Sequence, residues 1–207
     1  MNFVLWFPRL KVQFALSAAV FVGTFLAAPS THAQESVFRL EPSKSTVEFT
    51  LGASLHTVHG TFKLKSGEIH FDPAKGTASG AIVIDALSGE SGNEGRDKKM
   101  HQEILETRKF SEIVFIPSRI QGTIAPQGTS QVAVSGIMKL HGQDHELTLN
   151  LAVQAGPSGQ AHANSKFSVP YVQWGLKNPS NFFLRVTDSV DVEVDASGQL
   201  TASPSGH

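Results

Sequence analysis

Apolar residues recur at every second position through most of this chain, and the alternation gives way to helical spacing once. In residues 45–51, Val47, Phe49 and Leu51 share one face while Thr46, Glu48 and Thr50 take the other. Val58, Gly60, Phe62 and Leu64 oppose His59, Thr61, Lys63 and Lys65, and Ser66-Gly67 reads as a turn before Ile69 and Phe71 continue to Asp72-Pro73. Leu147, Leu149, Leu151 and Val153 form the cleanest row, opposite Glu146, Thr148 and Asn150. Further strand signals lie at 81–84, 112–116, 131–140, 162–169 and 184–194. A period of two marks strands with one buried face. Eight or nine such strands must hide their apolar faces against one another, which a closed barrel or a sandwich achieves.

The interruption covers residues 91–106. Met100, Ile104 and Leu105 recur at helical spacing with His101 between them, while Lys98, Lys99, Gln102 and Glu103 face elsewhere. Ser91 with Glu94 fits a capping box, Asn93 could cap directly, and Glu94 and Lys98 form an i,i+4 pair. A single helix in an antiparallel sheet suggests a barrel with a plug or lid. A second irregular stretch, residues 170–181, holds two of the chain's prolines, its sole Tyr and Trp174, with Phe182-Phe183 directly after. It reads either as a lid over a cavity or as closure of the core.

The first 33 residues read as a leader. Arg9 and Lys11 precede the apolar, small-residue run 12–28, and Thr31-His32-Ala33 offers a cleavage site before Gln34, as in a secretory signal peptide. An uncleaved membrane anchor is the alternative. With no Cys in the chain, a lipobox, disulfides and thiol chemistry are all excluded. Residues 34–200 then form one domain and residues 201–207 a flexible tail. Of 17 basic residues two lie in the leader, so 15 stand against 18 acidic ones beyond it, and no basic block occurs. That balance argues against nucleic acid as a partner. Export points to a periplasm, with the extracellular space as the other outlet.

Catalytic patterns are missing: no G-x-S-x-G, no H-E-x-x-H and no phosphate-cradling glycine loop. Asp191, Glu193 and Asp195 fall on the outer face of a strand, as a solvated row. His56 and His59, three apart on a strand, would point to opposite faces and could not share an ion. His141 and His145 flank a hairpin turn with Asp144, and they would serve a metal only with ligands that the sequence does not place. His56 shares parity with Val58 and Phe62, as a core histidine or a polar contact for a ligand. Arg96 opposes the positive helix N-terminus unless paired, so an ion pair or an anionic head group is expected there.

Three blocks together resemble the YceI-like family, the polyisoprenoid-binding, lipocalin-like proteins of bacterial periplasms. Residues 45–49 through 57–62 look like that family's first hairpin, and residues 91–97 (SGNEGRD) look like its G-N-x-x-R-D helix start. Residues 134–142 (VSGIMKLHG) look like its strand-and-turn block. The resemblance implies an all-β, antiparallel, lipocalin-like barrel of about eight strands with one short inserted helix. It implies as ligand a long isoprenoid chain, of polyprenyl or quinone type, and requires no cofactor, metal or catalytic residue.

Each CH₂ removed from water contributes ~0.8 kcal/mol, so an apolar tunnel suffices to hold such a chain. The candidate lining is Phe49, Leu51, Phe62, Leu149, Leu151, Trp174 and Phe183, with His56 and Arg96 as polar contacts. Inward glycines, Gly60 and Gly136, would leave the tunnel room. Two rival readings are a filled barrel serving as a non-catalytic envelope or stress-related scaffold, and a metal-binding protein or enzyme using His141 and His145. A homodimer stays open.

Overall fold

The computed structural model describes residues 35–202. The expected leader and the end of the expected tail lie outside them. Nine strands follow in order: β1 (Ser36–Leu40), β2 (Thr46–Gly52), β3 (Thr57–Asp72), β4 (Thr77–Glu90), β5 (Glu112–Gln121), β6 (Gly128–Leu140), β7 (Gln143–Ala155), β8 (Gln160–Val169) and β9 (Val190–Ala202). Neighbours pair antiparallel in the order β2-β9-β8-β7-β6-β5-β4-β3, and β3 returns to β2, so eight staves close a barrel. β1 adds no ninth stave. Phe38 of β1 faces Ile69 and Leu200, while Phe49 of β2 faces Gly60 and Val192. β1 and β2 are therefore two halves of one stave, broken by a 3₁₀ turn at Pro42–Lys44. Among the described residues the ladder is shortest between β7 and β8, over 152–155 and 161–164 alone, so residues 143–151 pair with β6 and with no strand on the other side.

The strands are longer than the alternation suggests. Ser66-Gly67 is not a turn: β3 runs through it with a register shift against β4 between Leu64 and Ser66. Gly67 lets the Ile82 side chain pack close over the strand at that point. β4 continues six residues past Ile84, through a local kink where Asp85 accepts from Leu87 N at 2.9 Å. β9 starts at Val190 rather than at 184 and reaches Ala202, where it pairs with Ser36, so the expected tail begins inside a strand. The acidic row on β9 is paired across to β8: Lys166 meets Glu193 at 2.8 Å, and His162 meets Asp195 at 3.0 Å. Gly60 and Gly136 leave no tunnel either. A Cβ on Gly60 would strike the Phe49 ring, and one on Gly136 the Ile116 carbonyl, so both serve close approach.

β6 and β7 are joined by two residues, His141 (φ 52°) and Gly142 (φ 75°), both left-handed, which is the twist-matched type I′ hairpin. The helix α1 (Glu94–Lys99) continues without a break into a π-helical turn, Met100–Ile104. Asn93 is its cap, accepting from Arg96 N at 2.9 Å, so Ser91 stands outside the capping position. His101 fastens the helix to the barrel. Its Nε2 donates to the Gly89 carbonyl at 2.8 Å, which leaves Nδ1 to accept from the buried Thr107 hydroxyl at 3.3 Å.

One end of the barrel is filled. Phe71, Phe115, Ile120, Val132, Val134 and Val153 are all buried there and pack into one cluster. The other end, beside the helix, is not.

Candidate functional site

A cavity of about 490 Å³ occupies that second end. Its barrel wall comes from the helix-side ends of the strands: Val47, Phe49 and Leu51 on β2, Val58 and Phe62 on β3, Met138 and Leu140 on β6, Phe167 and Val169 on β8, and Val190 and Val192 on β9. These are the inward positions of the alternation, so period two in the sequence becomes an apolar wall. The helix turns its own apolar row, Met100, Ile104 and Leu105, onto the same space. Tyr171, Leu176 and Pro179 close in from the segment that follows β8. Lys99 Nζ donates to the Pro179 carbonyl at 3.4 Å, linking the helix to that segment.

Among the described residues, two charged ones stand on this wall, Arg96 and Lys99, and no carboxylate does. Arg96 does not form the expected ion pair: among the described residues no carboxylate lies within 4 Å of it. Its Nε donates to Ser91 Oγ and its Nη2 to the Ser91 carbonyl, both at 2.8 Å. Asp97 holds Ser91 from the other side, accepting from its N–H at 2.9 Å and from its hydroxyl. Asp97 is thus spent on Ser91, which leaves Arg96 a fixed cation beside an apolar space.

Tyr171 is buried, and its hydroxyl donates to the Thr187 carbonyl at 2.6 Å. Burial, aided by the nearby Asp188, pushes its pKa up to about 12, so it remains a donor at any ordinary pH. Asn178 reinforces the same fold-back, donating to the Val186 carbonyl at 3.1 Å and to Asp188 at 2.7 Å.

Of the nine residues proposed as a site from sequence, Phe49, Leu51, Phe62, His56 and Arg96 lie on this wall. His56 reaches it from the exposed loop between β2 and β3, not from inside the barrel. The other four do not line it. Leu149 and Leu151 face Val134 and Val132 across the β6–β7 ladder and pack into the filled core. Trp174 follows a turn closed by its own N–H on the Pro170 carbonyl, and it stacks on His145 instead, with centroids 4.2 Å apart and planes at 2°. Phe183 points outward, 85% exposed, because Asn181 Oδ1 accepts from the N–H groups of both Phe183 and Leu184 at 2.9 Å and turns the chain there.

Sequence reasoning missed Tyr171 and Lys99. The first shares parity with the inward Val169 and was there to be found. The second depends on where the helix docks. His141 and His145 pack on different rings, Phe110 at 4.6 Å and Trp174, and no group of three or more potential metal ligands gathers among the described residues. Burial lowers the pKa of His145, which disfavours the charged ring.

The chain matches the model of the YceI-like domain over residues 38–198. A UPF0312 protein of Pseudomonas savastanoi pv. phaseolicola is 26% identical over 196 residues, covering 87% of this chain and 95% of the relative. A UPF0312 protein of Vibrio cholerae is 30% identical over 95 residues, 45% of this chain, so the match spans 48% of that relative's length. Burkholderia cenocepacia BcnA has the same fold, with a TM-score of 0.64 at 19% identity over 76% of this chain and 98% of its own. So does a polyisoprenoid binding domain from Saccharophagus degradans implicated in plant cell wall breakdown, with a TM-score of 0.59 at 17% identity over 79% and 98%. The closed eight-stave barrel, the inserted helix and the family match over residues 38–198 make this chain a member of the YceI-like family.

Proposed function

We propose that the chain is a lipid-binding protein that holds a long isoprenoid, of polyprenyl or quinone type, with its tail in the hollow end of the barrel. The observation that carries this reading is an apolar cavity of about 490 Å³ whose charged wall residues are both cations. The volume falls in the range of ordinary ligand sites, roughly 300–1,000 Å³. Arg96 and Lys99 suit an anionic or strongly polar head group, while the strand and helix residues shelter the chain. The Saccharophagus degradans domain, a polyisoprenoid binding domain, supports this class of tail. Family and structural neighbours favour binding over catalysis. A filled barrel describes only half of this one. Delivery to a periplasm follows from reading residues 1–33 as a leader. Titration with isoprenoid alcohols of increasing length tests the proposal: affinity should climb with each added unit until the cavity is full, and affinity independent of chain length would contradict it.

A further inference from the structure

Three large apolar side chains stand in water beside the cavity: Phe182 is 91% exposed, Phe183 85% and Leu55 76%. They belong to two loops that the backbone ties together. Ser54 N donates to the Arg185 carbonyl at 2.8 Å, Arg185 N donates to Ser54 Oγ at 3.2 Å, and Ala53 bridges to Val186. The residues flanking the exposed tips, Ala53, His56, Asn181 and Leu184, themselves line the cavity. Wall and tips are therefore one structure, an apolar rim at the opening. Phe182 and Phe183 pack edge to face with centroids 5.2 Å apart, a bulky pair that no other described residue covers. An exposed apolar patch at the mouth of a binding site marks an interaction surface.

We propose that this rim docks on an anionic lipid bilayer, with Phe182, Phe183 and Leu55 entering the interface so that the cavity opens directly onto membrane lipid. The idea builds on the isoprenoid reading above, since such a cargo resides in bilayers and would otherwise have to cross water. The charges around the rim agree. Arg185 sits on it, Lys177 is on the same segment, and Arg96 and Lys99 are on the wall behind. Among the described residues none of these four has a carboxylate within 4 Å. Asp188, held by Asn178 at 2.7 Å, is the acid on that segment, and Arg185 and Lys177 outnumber it. Cations around an apolar wedge suit acidic head groups. Two copies set rim to rim about a two-fold axis would instead bring these like charges together.

Flotation of the exported, detergent-free protein with phosphatidylcholine vesicles, with and without phosphatidylglycerol, tests this. Wild type should float with the anionic vesicles. The double variant Phe182→Ser/Phe183→Ser should lose about tenfold or more of that binding, and Arg185→Glu should weaken it on anionic vesicles alone. Both variants should bind soluble farnesol as wild type does, because none of the three residues is on the cavity wall; that also certifies their folding. Wild type that stays unbound, or equal flotation of the Phe variant, would overturn the proposal. So would a dimer in vesicle-free solution that the Phe substitutions dissociate, since the rim would then join two copies. Flotation without farnesol binding would support the docking rim and count against the isoprenoid reading instead.

Discussion

Arg96 and Ser91 hold each other at the edge of the cavity, with the guanidinium giving two 2.8 Å hydrogen bonds, one to the hydroxyl and one to the carbonyl of the same residue. A fork fixed in this way loses little freedom when it meets a ligand oxygen. Arg96→Met should therefore leave the barrel folded and weaken a polyprenyl phosphate about tenfold, ~1.4 kcal/mol, while an uncharged polyprenol changes little. Competition titration of the two ligands decides it. Equal loss for both would make Arg96 a purely structural residue.

Val192 lies in register between Phe49 and Phe167, and all three face the cavity. Val192→Trp should fill that space and abolish chain uptake while thermal unfolding stays cooperative. Leu149→Ala, in the filled core, should do the opposite. It should cost about 2 kcal/mol of stability and leave uptake alone. Uptake by the Trp variant at the wild-type level would place the ligand elsewhere.

The His141-Gly142 turn depends on two left-handed residues. Gly142→Ala should destabilise the protein by about 1–3 kcal/mol, through backbone strain and a close approach of 2.5 Å from the new Cβ to the Phe110 ring. Urea unfolding reads this directly, and an unchanged midpoint would contradict the turn geometry.

His145 gives the protein an acid sensitivity of known sign. Burial holds its pKa below the ordinary value of about 6.5. The unfolded chain therefore takes up this proton at a higher pH than the folded one. Stability falls as pH drops below 6.5 and levels off beneath the folded value. His145→Phe keeps a ring against Trp174 and removes the proton, so its melting temperature should fall less than that of wild type between pH 7 and 5. Parallel slopes in calorimetry would contradict this.

Much of the barrel was legible because strand alternation is set by one residue's relation to the next. Val47, Phe49, Val58, Phe62 and Met138 face inward as their parity requires, and Met100, Ile104 and Leu105 share the helix face they were assigned. What was not legible depends on distant partners. No local signal says that Leu149 and Leu151 sit at the filled end, because both ends share one alternation. Trp174 and Phe183 lie beyond the strands, where turns closed by Pro170 and Asn181 decide direction. For Arg96 the sequence left an ion pair and a ligand contact both open; Asp97 took Ser91 instead, and Arg96 stands on the cavity wall.

The most direct measurement is organic extraction and mass spectrometry of the protein purified from a bacterial periplasm without detergent, wild type beside Val192→Trp. A stoichiometric polyprenyl or quinone species in the wild type, absent from the Trp variant, is the expected result. A lipid-free wild type that also ignores added isoprenoids would contradict a lipid-holding barrel.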